Sequence, residues 1–123
     1  LHQGIAQAWG LDLSTVTPDP TTRRYTDFLL ATAWSSETGV TLAAMTPCMR
    51  LYAFLGQQLA RRSNQTLAYR EWVDAYSSAD FAYLAVRLER LLDRCAPDAT
   101  VAARTYRYAM QCELDFFQAA WTA

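Results

Sequence analysis

Apolar residues recur every three to four positions over long stretches of this chain, with polar residues between them. That spacing gathers the apolar side chains on one face of a helix, whereas a half-buried strand would alternate. No run alternates convincingly enough to predict a strand. The sequence therefore predicts an all-α fold, a helical bundle with short connections. Predicted helices span residues 21–36, 40–62, 68–76 and 99–121, and another runs from a Ser77 or Ser78 cap to about residue 94.

Residues that favour turns and helix starts separate these segments. Pro20 ends a loop over residues 10–20 and suits the first turn of a helix. Gly39, the SNQT stretch at 63–66 and Pro97 mark the later breaks. Asp98 offers an N-cap for the last helix.

Composition limits the classes of function. The 123 residues are 52% hydrophobic and 13% aromatic, which is enough for the core of one domain. The 11 basic residues of the chain are all arginine and are scattered among 12 acidic residues. The net charge is -1. Because no basic cluster is present, nucleic acid is disfavoured as a partner. No apolar run reaches the ~18 residues of a membrane span, and no signal peptide is evident.

The cysteines indicate reduced thiols. Cys48, Cys95 and Cys112 are odd in number and lack the spacing of a metal site. We therefore expect neither a disulfide framework nor a bound metal, and a cytosol-like compartment. No motif calls for a cofactor.

A carboxylate lies in the middle of an apolar stripe on the last predicted helix. At 100° per residue, Glu113 shares a face with Ala109, Met110 and Phe117, while Asp115 falls on the polar side as an ordinary surface acid. Burial there favours the neutral form of the carboxyl unless a partner compensates. Spacing alone leaves two roles open, namely a structural hydrogen bond between helices or a tuned acid or base facing a cavity.

Cys48 lies on the apolar face of the second long predicted helix, directly after Pro47. A free cysteine often fills the core as a small hydrophobe. The interior proline removes one backbone hydrogen bond and crowds the carbonyl of Ala43, so it predicts an opening of the helix beside the thiol. That irregularity favours a site, although prolines also bend helices for packing alone.

Three tyrosines lie on the inward faces of predicted helices. Tyr52 follows Cys48 by about one turn, Tyr25 shares a stripe with Phe28, and Tyr76 shares one with Trp72. Buried hydroxyls need partners, which separate backbone carbonyls or one polar ligand in an aromatic pocket would supply. The one histidine, His2, is too near the terminus to pair with Cys48 in any evident way.

The stretches LAAMTPCMRLYAFLG, YREWVDAYSS and MQCELDFFQAAW, in this order and spacing, resemble the TenA family, also called thiaminase II. The segments YTDFLLATA and AMTPCMRLYAFLG are closest in sequence to plant and algal members, in which such a domain precedes a thiamin monophosphate phosphatase. The resemblance implies a haem-oxygenase-like helical fold, assembly as a homotetramer and hydrolysis of thiamin or its aminopyrimidine breakdown products in thiamin salvage.

The resemblance also implies roles for individual residues. Cys48 matches the family's nucleophile, and Tyr25, Tyr52, Tyr76 and Glu113 match residues that line the pyrimidine pocket. The expected enzyme is a hydrolase that acts on a small pyrimidine or thiamin, with Cys48 and Glu113 catalytic and the tyrosines binding substrate. We expect it in the cytoplasm, or in an organelle for a plant or algal member.

This resemblance covers nearly all of the chain but only about the C-terminal half of the family's domain. The family's N-terminal helices, and an active-site aspartate that they bear, have no counterpart in these residues, so we expect further sequence before them. An alternative follows from that: a non-catalytic pyrimidine-binding or assembly module of a larger thiamin-salvage protein. Transcriptional regulation ranks last, because no helix-turn-helix signature is evident.

Overall fold

A computed structural model describes residues 2–62, 69–95 and 98–122. Within these ranges the chain is helical with short connections and no strand, which confirms the predicted all-α class. The helices are α1 (His2–Ala8), α2 (Pro20–Ser35), α3 (Thr38–Ala60), α4 (Arg70–Ser77), α5 (Ala79–Cys95) and α6 (Ala99–Thr122), with a 3₁₀ turn at Leu13–Thr15.

Side-chain caps begin several helices where the sequence predicts them. Asp19 accepts hydrogen bonds from the backbone N–H groups of Thr21 and Thr22, and Pro20 occupies the first turn of α2. Ser78 accepts from the N–H of Phe81 at 3.2 Å and so caps α5. Asp98 accepts from the N–H of Thr100 at 2.7 Å at the start of α6. Each cap satisfies backbone donors that a helix start leaves unpaired.

Helix α3 forms the centre of the bundle, with α4, α5 and α6 packed extensively around it. Its fully buried positions are small, and side chains of that size allow neighbouring helix axes to approach closely. α2 packs less extensively, against α3 and α6. The buried residues of α3 are Gly39, Ala43, Ala44, Thr46, Pro47, Ala53 and Gly56.

The start of α3 differs from the sequence expectation. The helix begins at Thr38, so Gly39 lies inside its first turn rather than before it. The helix continues through Pro47, which is buried, in line with the predicted helix over residues 40–62. The opening of the helix beside Cys48 stays a prediction. The predicted turn at 63–66 and the predicted break at Pro97 lie outside the described residues.

Several large apolar side chains remain exposed. On α6, the stripe that includes Glu113 is buried in its middle, but Phe117 is 38% exposed and Trp121 is 87% exposed. On α2, Leu30 and Trp34 are also exposed. No helix in the described part of the chain is long and apolar enough to cross a membrane.

Candidate functional site around Glu113

Glu113 is one of the most buried side chains in the described structure, with 1% exposure. It lies near the middle of α6, where the apolar stripe faces α3. A carboxylate without hydration needs hydrogen-bond donors around it. Every buried side-chain nitrogen or oxygen in the described ranges has a hydrogen-bond partner, and Glu113 is no exception.

One donor to Glu113 comes from α2. The Tyr25 hydroxyl donates a hydrogen bond to Glu113 Oε1 at 2.6 Å, across 88 residues of sequence. Burial raises the pKa of Tyr25 far above its usual range, and the hydrogen bond and charge of Glu113 raise it further. Tyr25 therefore remains a neutral donor at any physiological pH.

The second neighbour of Glu113 is the thiol of Cys48 on α3. Burial raises the pKa of Cys48 to about 12, and the charge of Glu113 and a hydrogen bond to it contribute to the rise. The thiol is therefore protonated near neutral pH, with its proton beside the carboxylate. All three cysteines are free thiols, as the sequence predicts.

An aromatic cluster lies next to this pair. The Tyr52 ring centroid is 5.0 Å from that of Tyr76, 5.8 Å from that of Trp72 and 6.0 Å from that of Phe117. Burial raises the pKa of Tyr52, with contributions from the charges of Glu113, Cys48 and Tyr76. Burial also raises the pKa of Tyr76. Four of the five predicted site residues, Tyr25, Cys48, Tyr52 and Glu113, thus meet at α6, and Tyr76 of α4 joins them through the Tyr52 ring.

A cavity of about 430 Å³ opens beside Glu113 between α3, α4 and α6. Among the described residues of its wall, Glu113 is the only charged one and the others are apolar. Cys48, Tyr25, Tyr52 and Tyr76 are not among these wall residues. The wall consists of Leu51, Leu55, Leu59, Trp72, Met110, Glu113, Leu114 and Phe117.

Gly56 positions one edge of the aromatic cluster, and no local sequence pattern indicates this role. A Cβ at position 56 would lie 2.7 Å from both the carbonyl oxygen of Tyr76 and the backbone nitrogen of Ser77. Real Cβ atoms do not approach backbone atoms so closely, so only glycine fits without a shift of α4. This close approach of α4 to α3 also brings the Tyr76 ring to 5.0 Å from the Tyr52 ring of α3.

Asp115 is the partly exposed acid on the polar side of α6 that the sequence indicated, and it is paired with a second helix. It forms an ion pair with Arg24 of α2 and accepts a hydrogen bond from Gln111 Nε2 at 2.8 Å. Both contacts lower the pKa of Asp115, with Gln111 the larger cause. The helix projection places Asp115 correctly on the polar side, but it does not reveal a partner 91 residues away.

The whole chain, residues 1–123, matches the sequence profile of the TENA/THI-4/PQQC family. The chain belongs to this family. The haem-oxygenase-like bundle is also that of a solved relative, described as a TenA homologue protein from P. horikoshii OT3. The two superpose with a TM-score of 0.88 at 27% identity, over 97% of this chain and 59% of that one.

Curated relatives align over most of this chain. The bifunctional TH2 protein, mitochondrial, of Arabidopsis thaliana is 36% identical over 97% of this chain and 24% of its own length. The thiamine biosynthesis multifunctional protein ThiED of Corynebacterium efficiens is 35% identical over 98% of this chain and 16% of its own length. The aminopyrimidine aminohydrolase of Halalkalibacterium halodurans is 31% identical over 76% of this chain and 44% of its own length. The chain therefore spans less than half of each of these relatives.

Proposed function

We propose that this domain is the catalytic part of an aminopyrimidine aminohydrolase of the thiaminase II type, acting in thiamin salvage. The observation that supports it most is the convergence of a thiol and a tyrosine hydroxyl on one buried carboxylate. Buried titratable groups in contact with one another are typical of active sites. The substrate proposed is 4-amino-5-aminomethyl-2-methylpyrimidine or a related thiamin breakdown product.

In this mechanism Cys48 is the nucleophile and Glu113 transfers the proton. Because the thiol is protonated near neutral pH, sulfur attack requires a base. Glu113 takes the proton from Cys48 and delivers it to a ring nitrogen of the pyrimidine. Protonation makes the ring more electrophilic as the sulfur forms a bond to an electron-poor ring carbon, so no net charge accumulates in the buried site.

The second half of the reaction exchanges the substituent. The electron pair gained by the ring expels the substituent amine, which is an ammonium group at neutral pH, from the 5-methyl carbon as ammonia; thiazole would leave from the same carbon if thiamin were the substrate. Water then adds to that carbon and gives up one proton to the released ammonia. The carbon–sulfur bond breaks, and the ring proton returns through Glu113 to Cys48. The net reaction is hydrolysis to the hydroxymethylpyrimidine and ammonia.

Tyr25, Tyr52 and Tyr76 have binding and orienting roles in this proposal. Tyr25 orients Glu113 through its hydrogen bond. The Tyr52 and Tyr76 rings pack edge to face with centroids 5.0 Å apart, outside the wall of the cavity beside Glu113, and in this proposal they contact a flat heterocycle bound next to the thiol. Assembly as a homotetramer, which the family resemblance implies, stays a prediction.

The test is release of ammonia from the aminomethylpyrimidine by the purified protein, expressed with whatever sequence flanks these residues in its gene. Cys48→Ala is the inactive reference, and Cys95→Ala is the matched control because that thiol is exposed. We expect release from wild type and Cys95→Ala and none above background from Cys48→Ala. Equal background release from all three would overturn the enzyme proposal and favour a pyrimidine-binding or assembly module.

A further inference from the structure

We propose that the Arg24–Asp115 ion pair is a positioning device that holds Tyr25 against Glu113. Arg24 and Asp115 thereby tune the reaction without touching the substrate. This inference rests on the proposed function, because it concerns the same carboxylate. Arg24 and Tyr25 are neighbours on α2, and their partners Asp115 and Glu113 are two residues apart on α6. Two cross-links thus join the same two helices at the same level.

The two cross-links reach α6 from different sides. At 100° per residue, Glu113 and Asp115 project about 160° apart around the helix, with Cys112 between them. Cys112 is buried, and the nearby guanidinium of Arg24 partly offsets the rise in its pKa that burial causes. The side chains of Arg24 and Tyr25 on α2 therefore contact α6 on either side of Cys112. A link on each side resists both rolling and sliding of α2, which one link would not.

Little else fixes this end of α2. Its one buried residue in the described structure is Thr32, which is 8% exposed and lies two turns beyond Tyr25. Leu30 and Trp34 on its outer side are exposed. The ring of Phe28 packs 4.7 Å from Tyr108 of α6, which adds one further contact near the ion pair. A helix held so lightly can shift when a single polar link is lost.

The ion pair is well suited to setting position rather than stability. Its side chains are 47% and 31% exposed, and pairs so exposed contribute little to folding. The Tyr25–Glu113 hydrogen bond at 2.6 Å does not tolerate a shift of about 1 Å, and misplacement on that scale can lower a rate by up to about 10²-fold. Gln111 keeps the Asp115 carboxylate facing Arg24 from one turn away on the same helix.

The experiment compares Arg24→Gln, Asp115→Asn and the charge-reversed pair Arg24→Asp/Asp115→Arg. Arg23→Gln is the matched control, because Arg23 is exposed one position earlier on α2. Two properties are measured in the complete protein: kcat and KM for ammonia release, and the rate at which iodoacetamide alkylates Cys48, followed peptide by peptide. Thermal unfolding shows whether each variant is folded.

We expect Arg24→Gln and Asp115→Asn each to lower kcat about tenfold, with a smaller change in KM. Both should speed alkylation of Cys48, because a carboxylate held less firmly raises its pKa less. The charge-reversed pair should recover much of the wild-type kcat and much of the wild-type alkylation rate. Unfolding midpoints should move by a few degrees at most. The inference is overturned if Arg24→Gln matches Arg23→Gln in both readouts, or if the reversed pair is no better than the single variants. Absence of ammonia release from wild type would refute the proposed function alone, since alkylation still tests the positioning.

Discussion

Glu113 and Asp115 are two carboxylates on the same helix with opposite surroundings. Glu113 is 1% exposed and accepts hydrogen bonds from neutral donors on α2 and α3. Asp115 is partly exposed and forms an ion pair with a guanidinium. The residue types hardly differ, so the surroundings decide what each can do. A buried carboxylate beside a thiol can exchange a proton with it, whereas one neutralised by arginine remains ionised and serves as an anchor.

Activity should separate these two carboxylates most widely. Glu113→Gln removes the group that moves the proton, so we expect ammonia release to fall about 10²–10⁴-fold with the fold retained. Asp115→Asn should cost only about tenfold, as a positioning change. Steady-state assays of both variants provide the measurement. Equal losses would contradict the distinction between a catalytic and a positioning carboxylate.

Thiol reactivity should change in the opposite direction to activity. The negative charge of Glu113 helps to raise the pKa of Cys48 to about 12, so Glu113→Gln should lower that pKa and increase the thiolate fraction at pH 8. Each unit of decrease gives about tenfold faster alkylation by iodoacetamide in this range. The rate should be measured from pH 7 to 11 by mass spectrometry. An unchanged profile in Glu113→Gln would show that the carboxylate does not act on the thiol.

An added methyl group should lower the unfolding free energy more at the α3–α4 contact beside the aromatic cluster than on the outer surface of the protein. Gly56→Ala places a methyl group against the backbone of Tyr76 and Ser77, so we expect a loss of about 1–3 kcal/mol in unfolding free energy and a higher KM. Gly4→Ala is the control, because nothing lies within 4 Å of a Cβ there, and it should be neutral or slightly stabilising. Urea unfolding measures both. A Gly56→Ala variant as stable as wild type would refute the close approach of α4.

Tyr25→Phe should affect stability no more than Gly56→Ala does. Loss of one hydrogen bond to a buried carboxylate should cost about 1–3 kcal/mol, while kcat falls because Glu113 is less well oriented. Tyr83→Phe is the control, since Tyr83 is 59% exposed and should change neither quantity. Chemical unfolding measures the stability of the two variants, and steady-state kinetics measures their kcat. If both variants behave alike, Tyr25 does not orient Glu113.

Local signals in the sequence were enough to predict the helices. Caps at Ser78 and Asp98 and the proline at the start of α2 mark helix starts that the structure reproduces. The 3.6-residue period also places Glu113 on the inner face of α6, because burial on a helix follows angular position. These features depend on residues close together in the chain.

Pairings between distant residues were not predictable in the same way. The Arg24–Asp115 ion pair and the approach of Gly56 to Tyr76 depend on how helices far apart in sequence pack together. Periodicity assigns Asp115 to the polar face but gives no partner for it. The exposure of Trp121 at the end of an apolar stripe is likewise set by which neighbours surround α6, and no local pattern contains that information.

A double-mutant cycle with Cys48→Ser and Glu113→Gln, read out as ammonia release from the aminomethylpyrimidine, tests the central claim most directly. If thiol and carboxylate share one proton and act as a unit, the double variant should lose little more activity than the worse single variant. Losses that multiply across the cycle would show that the two groups act independently, and the proposed proton route would be wrong.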